Sequence, residues 1–520
     1  MDWNREGFIK TALSLPVKNQ IFLNKQMRIE PIHEIASVIA KGGKFISLIG
    51  LKGLSIAILV SCSQKLNNEM KAFSINPEAV EQQLTFGIQG HFLNHRQAFS
   101  PKDEWLAFDG RKEDSKLGEN ELIGLLNIQS GEILDLYRVP GQQLDGPGAG
   151  AVSYNPQKEE VVFIRGLLSA GPTQPYHITR RSAIGLNLED KKSPVLFHMD
   201  ARDVTPPFTP GALRGGSHAY GYSQDGNWIS FTYNDEVMEK AATVNPQLKD
   251  LRTVAFMVSG KEVLVSSELG RAEEEFSGSG FSVLAAEVVP FPKPGSDEIQ
   301  KACEETWVGH AGYLKSAGEK VDRSLAYLGD VISQEGKVVT EVFVTDIPED
   351  WGKNLGDQNL AGMGVSLPEM PASFTQRRIT YTADRIFPGV QGPRHWLRSS
   401  KSGDRIFFYA KSDDGIVQVF AVSPGGGDPI QITRNDFSPE TGFSLSPDDK
   451  WIAFGHQNQV YLIATASGKT EKAGPFPEPD QSDLSNINWS YSGKTLAYNK
   501  RVTTDSGSYF QIFILKPFKQ

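Results

Sequence analysis

The sequence predicts an all-β fold, a seven-bladed β-propeller, on three observations. A hairpin unit recurs seven times along the 520 residues. A short Leu-Thr or Ile-Thr strand precedes several copies, at Gln83-Leu84-Thr85, Arg378-Ile379-Thr380 and Gln431-Ile432-Thr433. The final strand, Phe510-Gln511-Ile512-Phe513-Ile514-Leu515, has no such follower, and the strand at Gln83 can supply it from the other end of the chain. Repeated four-stranded units closed in this way are the mark of a propeller, and joining the first and last segments removes an exposed sheet edge.

Each copy is a strand, a tight turn and a second strand. The first, residues 98–108, turns at Ser100-Pro101-Lys102-Asp103 and continues into Trp105-Leu106-Ala107-Phe108. Pro presets φ for the turn, Asp or Gly closes it, and the Trp/Ile/Phe run is strand material. The second, residues 153–163, uses Asn155-Pro156. The third, residues 220–231, uses Ser223-Gln224-Asp225-Gly226. The fourth and weakest, residues 312–327, has a longer turn. The fifth (399–408), sixth (443–454) and seventh (489–498) turn at Gly403-Asp404, Ser446-Pro447-Asp448 and Ser492-Gly493. Spacing is uneven, so long insertions are expected near 165–215, 234–308 and 345–390, where function tends to lie. The run at Phe281-Ser282-Val283-Leu284 could open an eighth blade, which is the alternative count.

Residues 82–520 thus form a single propeller, preceded by a linker at 63–81 and a leader at 1–62. The leader holds Lys41, Lys44 and Lys52, then the apolar run Gly53–Val60, then Ser61-Cys62. A basic region, a short apolar segment and small residues are the parts of a secretory signal. The run is short for a transmembrane helix and Lys52 interrupts it. The cysteine after a small residue resembles the lipobox of bacterial lipoproteins. The resemblance implies cleavage before Cys62, a lipid on its sulfur, and a protein tethered to a membrane and facing the periplasm in the cell envelope. Met27 is an alternative start. With Cys62 lipidated, Cys303 has no disulfide partner, since the chain has only two cysteines.

The net charge of −9 and the lack of a basic tract after the leader argue against nucleic-acid binding. No Gly-x-Ser-x-Gly elbow, phosphate loop, dinucleotide fingerprint or cysteine-based zinc site is present. A monomer is expected.

Nine histidines occur, and their placement is not random. Counting back five residues from the turn serines Ser100, Ser223 and Ser400 reaches His95, His218 and His395; counting from Lys315 in the weak copy reaches His310. The remaining copies give Gly150, Thr441 and Ser485. Equal offsets on innermost strands place side chains at one height around the channel, so these imidazoles could converge on a divalent metal such as Mn, Zn or Fe. The alternative is a ring of polar groups bridged by water. Arg214 leads into His218 and Arg394 into His395; a guanidinium there suits a carboxylate or phosphate, or else bonds loop carbonyls. His218, Arg214 and Arg394 are therefore the catalytic candidates, with Arg214 and Arg394 the substrate-binding ones.

The turn and Leu-Thr signatures resemble the repeats of the TolB propellers. Leu213-Arg214-Gly215-Gly216-Ser217-His218, Ser230-Phe231-Thr232-Tyr233-Asn234-Asp235, Trp307-Val308-Gly309-His310 and Pro393-Arg394-His395-Trp396 resemble the bacterial YidR-like family of unknown function. A more distant similarity is to oligogalacturonate lyases, propellers with histidine-held manganese. These resemblances imply two functions. One is an anionic-carbohydrate binder, or a metal-dependent lyase-like enzyme, working at the channel mouth. The other is a non-catalytic module that docks an envelope protein, as TolB does.

Overall fold

Five of the seven turns are folded by their own serine. The Oγ of Ser100, Ser223, Ser400, Ser446 and Ser490 each accepts the main-chain N–H five residues on, at 3.0 to 3.2 Å. In the same five turns the third residue after the serine is left-handed: Asp103, Gly226, Gly403, Asp449 and Gly493, with φ between 59 and 75°. Only glycine adopts that backbone freely, and aspartate tolerates it better than most. The Ser-Pro-x-Asp and Ser-x-x-Gly patterns are thus two solutions to one turn.

A computed structural model describes residues 75–76, 78–266, 273–353, 358–474 and 483–519. The leader, Cys62 and most of the expected linker lie outside the described residues.

Among the described residues seven antiparallel blade sheets form, beside one small two-stranded hairpin. Blade 1 pairs Trp105–Asp109, Leu122–Asn127 and Ile133–Arg138, with an irregular inner segment bridged at Phe92 and Phe99. Blade 2 is Ala149–Tyr154, Glu160–Gly166, Arg181–Asn187 and Val195–His198. Blade 3 is Gly215–Tyr222, Trp228–Asp235, Thr253–Val263 and Gly278–Leu284. Blade 4 is Ile299–Trp307, Arg323–Ile332, Val338–Ile347 and Thr375–Arg378. Blade 5 is Arg398–Ser399, Ile406–Lys411, Val417–Val422 and Ile430–Gln431. Blade 6 is Ser444–Leu445, Trp451–His456, Gln459–Ala464 and Thr470–Lys472. Blade 7 is Leu484–Trp489, Leu496–Thr504 and Gly507–Leu515, completed by Gln82–Gln83, which pairs with Ile514 and Phe513. The run at Phe281 is the outer strand of blade 3, not an eighth blade.

The Leu-Thr signature has a physical cause. As each outer strand ends, a buried threonine hydroxyl accepts a main-chain N–H of the neighbouring strand. Thr85 takes that of Ile512 at 2.8 Å, Thr380 that of Val342 at 2.9 Å, and Thr433 that of Val419 at 2.9 Å. A ladder donor that would otherwise be buried unpaired is satisfied.

The core is a ring of apolar clusters, one between each pair of neighbouring sheets. Val162 and Ile164 of blade 2 meet Tyr220 and Phe231 of blade 3. Phe256 of blade 3 meets Leu325 and Tyr327 of blade 4. Leu106 and Phe108 of blade 1 meet Ala497 and Ile514 of blade 7, which closes the circle. The expected insertions hold blade strands: 165–215 contains the two outer strands of blade 2, 234–308 contains those of blade 3, and, among its described residues, 345–390 contains only the short outer strand of blade 4 among loop. One α-helix, Glu236–Val244, sits between strands of blade 3, N-capped by Asp235, which accepts the N–H of Met238 at 2.9 Å. Among the described residues no helix is long and apolar enough to cross a membrane.

Candidate functional site: an arginine-lined cavity on the propeller axis

The seven turns share one hydrogen bond, which fixes their register. Ser100, Asn155, Ser223, Val308, Ser400, Ser446 and Ser490 each donate their N–H to the first carbonyl after the turn. Counting back five residues gives His95, Gly150, His218, Cys303, His395, Thr441 and Ser485. The fourth position is thus Cys303, not His310. Blade 4 carries an extra hairpin, Tyr313–Leu314 with Lys320–Val321, inside its turn, and this displaces the sequence count. His310 lies beyond the inner strand, bonded through its N–H to the Lys401 carbonyl at 2.9 Å, and lines a separate small cavity beside Trp307 and Asp449. Cys303 is a buried, free thiol whose pKa is pushed up by burial.

His95, His218 and His395 do share a cavity, of about 540 Å³, with Thr441 and Ser485 from the same offset. Their ring nitrogens are differently engaged. His395 is fully used: its Nδ1–H donates to the Pro393 carbonyl at 2.9 Å and its Nε2 accepts the Tyr409 N–H at 3.1 Å. Burial pushes its pKa down to about 4, so it is neutral at pH 7. His218 lies beside the Thr232 hydroxyl, 2.8 Å from Nε2. Burial, then the charges of Arg181, Arg252 and Arg394, hold its pKa well below the usual value. His95 stacks on Trp396, ring centroids 3.3 Å apart, and its buried Nε2 has no hydrogen-bond partner. Burial again, reinforced by nearby arginines led by Arg96, keeps it neutral.

The expected Mn, Zn or Fe site does not fit this arrangement. Among the described residues no group of three or more His, Cys, Asp or Glu side chains is placed to hold a metal ion. His395 has no free lone pair, and the charges that bear on His95 and His218 are those of arginines.

The arginines divide into spent and unspent. Arg214 is fully buried and grips Asp235 with Nε at 2.9 Å and Nη2 at 2.6 Å. It does not line the cavity, so the expectation that it binds substrate or acts in catalysis is corrected: its role is to hold the strand end that leads into His218. Next to it, Gly216 packs so closely that a Cβ would sit 2.0 Å from the Ile178 carbonyl. Arg394 does line the cavity, but Glu304 neutralises it at 2.8 Å. Arg111 is likewise held by Asp109 and Asp114.

Arg181, Arg252 and Arg398 line the same cavity, and no carboxylate of the described residues lies in salt-bridge range of any of them. Arg181 donates to the Tyr176 hydroxyl at 2.8 Å while its Nε stays buried and unpaired. Arg252 meets only the Asn234 amide oxygen, at 3.2 Å. Arg398 donates to the carbonyls of His95 and Leu397 at 3.0 and 3.2 Å. Burial and then Arg96 lower its pKa to about 9, which still leaves it charged at pH 7. Trp396 Nε1 and Ser485 Oγ on the cavity wall are also buried without a partner. The wall is therefore rich in cations and unsatisfied donors. Of its carboxylates, Asp114 is paired with Arg111, and Glu440 accepts the Gln457 main-chain N–H at 2.7 Å.

The sequence reading missed Arg398, and with it Arg181 and Arg252. For the last two a signal existed. Both stand at the threshold of the third strand of their blade, opposite Gly166 and beside Asn234, which are equivalent places two residues past Ile164 and Thr232. Aligning third strands as well as turns brings them together.

Comparison with known proteins follows the same lines. A family described as "Protein of unknown function (DUF3748)" matches residues 148–273. The uncharacterized protein YidR of Escherichia coli (strain K12) is 37% identical over 393 residues, covering 75% of this chain and 88% of that one. Among solved structures, an oligogalacturonate lyase in complex with manganese superposes with a TM-score of 0.46 at 8% identity, over 86% of this chain and 96% of the other. TolB from Acinetobacter baumannii gives 0.33 at 11% identity, over 81% and 84%. These structural likenesses concern the fold alone.

Proposed function

The chain belongs to the YidR family, and on that premise we propose that it is an envelope-tethered propeller whose axial cavity binds an anionic carbohydrate. The observation that carries the reading is the trio Arg181, Arg252 and Arg398, cationic groups in one cavity without a carboxylate partner. A buried charge left unpaired is costly, and a carboxylate or phosphate forked by a guanidinium offsets that cost. The partnerless donors of Trp396 and Ser485 suit hydroxyls and ring oxygens, which a sugar supplies. His95 Nε2 adds a neutral group that can accept from or donate to a ligand hydroxyl. At about 540 Å³ the cavity falls within the ordinary range for small-molecule sites. The lipid on Cys62 belongs to the same proposal.

Calorimetric titration tests it. Oligomers of a hexuronic acid are compared with neutral hexose oligomers of the same length at low ionic strength. Saturable binding of the acids alone is expected. Equal affinity for the neutral series, or no binding of either, overturns the reading.

A further inference from the structure

With the binding role proposed above as premise, we infer that the axial cavity is a cup closed at one end, so that it takes the end of an oligosaccharide chain and not a stretch of its interior.

The closure is built by four consecutive residues of blade 1, Asn94-His95-Arg96-Gln97. The Asn94 carbonyl accepts from the Asn488 amide of blade 7 at 2.8 Å, and the Asn94 amide donates to Ser153 Oγ of blade 2 at 2.8 Å. The Gln97 side chain exchanges two bonds with the main chain of Tyr222 in blade 3, both at 2.8 Å. Arg96 donates to the Ala219 carbonyl of blade 3 at 2.6 Å, and to the carbonyl and the carboxylate of Glu305 in blade 4, each at 2.7 Å. The His95 carbonyl takes its bond from Arg398 of blade 5. A segment that bonds blades 7, 2, 3, 4 and 5, including the two that stand opposite blade 1 in a ring of seven, lies across the axis.

The crossing is packed as well as bonded. A Cβ at Gly221 would sit 2.4 Å from Arg96 Cζ. Gln97 and Ala219 hold left-handed backbone, with φ of 53 and 64°, which residues with a Cβ keep only where their surroundings dictate it. Beyond the crossing, on the side of the turns, lies the separate cavity of about 170 Å³, lined by Arg96, Gln97 and the turn residues Gln224 and Ser446. Arg398 is the one described residue that lines both cavities, so its side chain and the crossing segment form the partition between them. On the opposite side the large cavity is rimmed by Asp114, Arg394 and Glu440, whose side chains are more than half exposed. Entry is from that face. The partnerless His95 Nε2 belongs to the crossing, and Trp396, with its partnerless Nε1, stacks directly on the His95 ring. A chain passing over the mouth does not reach these groups, whereas a terminal residue enters whole.

Calorimetry compares a 1,4-linked hexuronic acid trimer with a polymer of about 60 of the same residues, in about 0.15 M salt so that long-range attraction to the polyanion is screened. A site that reads interiors finds a register at nearly every residue, so its affinity per polymer chain rises roughly 50-fold over the trimer and several proteins load each chain. A site that reads ends finds one place per chain. Affinity per chain that stays level with the trimer or falls below it, at one protein per chain, is the expected result. A rise in proportion to length overturns the closed cup and leaves the anionic-carbohydrate reading standing. Failure of both ligands to bind removes both. The comparison needs no variant, so no folding defect enters it.

Discussion

Arg398 reaches from blade 5 to donate its Nη2 proton to the main-chain oxygen of His95, 3.0 Å away, so one side chain pins the segment of blade 1 that enters the cavity. Arg398→Met would strip the donor from this carbonyl and from that of Leu397. Leaving such groups buried and unpaired costs about 1–3 kcal/mol. Urea unfolding should show a loss of that size. No change in midpoint would mean that these bonds contribute nothing to holding His95.

Acid should destabilise the fold through its neutral histidines. The unfolded chain protonates His395 near pH 6.5, whereas the folded chain, in which Nε2 accepts the Tyr409 N–H, resists until about pH 4. The unfolded state thus holds more protons throughout that window, so stability rises with pH across it. Above about pH 6.5 the contribution is constant; as pH falls to about 4 His395 alone removes ~3 kcal/mol. His95 and His218 add to the loss in the same direction. Thermal melts from pH 7 to pH 4 should fall steadily, and His395→Gln should flatten the slope. A variant that melts in parallel with the native chain would contradict the assignment.

Arg394 and Arg181 should differ in their effect on binding. Arg394 already answers Glu304, whereas Arg181 answers no acid. Arg181→Gln is expected to weaken binding of a uronic acid about 10-fold or more, and Arg394→Gln by roughly two- to three-fold. Fluorescence or calorimetric titration of the two variants compares them directly, and the reverse order would show that the cavity charge has been misassigned.

Ring closure should be sensitive to one hydroxyl. Thr85→Val keeps the shape and removes the acceptor for the Ile512 N–H. A destabilisation of about 1–3 kcal/mol is expected from the unpaired buried donor, with Thr433→Val as the matched control in a sheet made from one continuous segment. Equal losses would show that the contact acts locally; a larger loss for Thr85 would locate extra cooperativity in the closing sheet.

Labelling with radioactive palmitate in a bacterial host should mark the native chain and not Cys62→Ala. Incorporation into the alanine variant would separate the protein from the lipoprotein route.

The repeat was legible because the same turn is built from the same atoms. A serine hydroxyl and a left-handed third residue leave a Ser-Pro-x-Asp or Ser-x-x-Gly trace, and a buried threonine leaves the Leu-Thr trace. The meeting of His95, His218 and His395 was legible for the same reason, as a fixed offset from those turns. His310 was misplaced because a hairpin inserted in the turn of blade 4 changes the count without changing the strand register. Arg214 was misread because its partner Asp235 lies 21 residues on, and only pairing of the first two strands of blade 3 brings them together. Ligand capacity could not be read from the histidines either, since the bond that occupies His395 Nε2 comes from the main chain of a neighbouring strand.

The last sheet takes one strand from residues 82–83 and three from residues beyond 484. A growing polypeptide leaving the ribosome or a translocation pore cannot complete it until Leu515 has emerged. The amino-terminal strand must wait, unpaired, through synthesis of six other blades. Closure consequently comes after every other blade has been made, and a polypeptide lacking the Leu496–Leu515 hairpin is left as an open arc with two sticky edges, ready prey for proteases and aggregation.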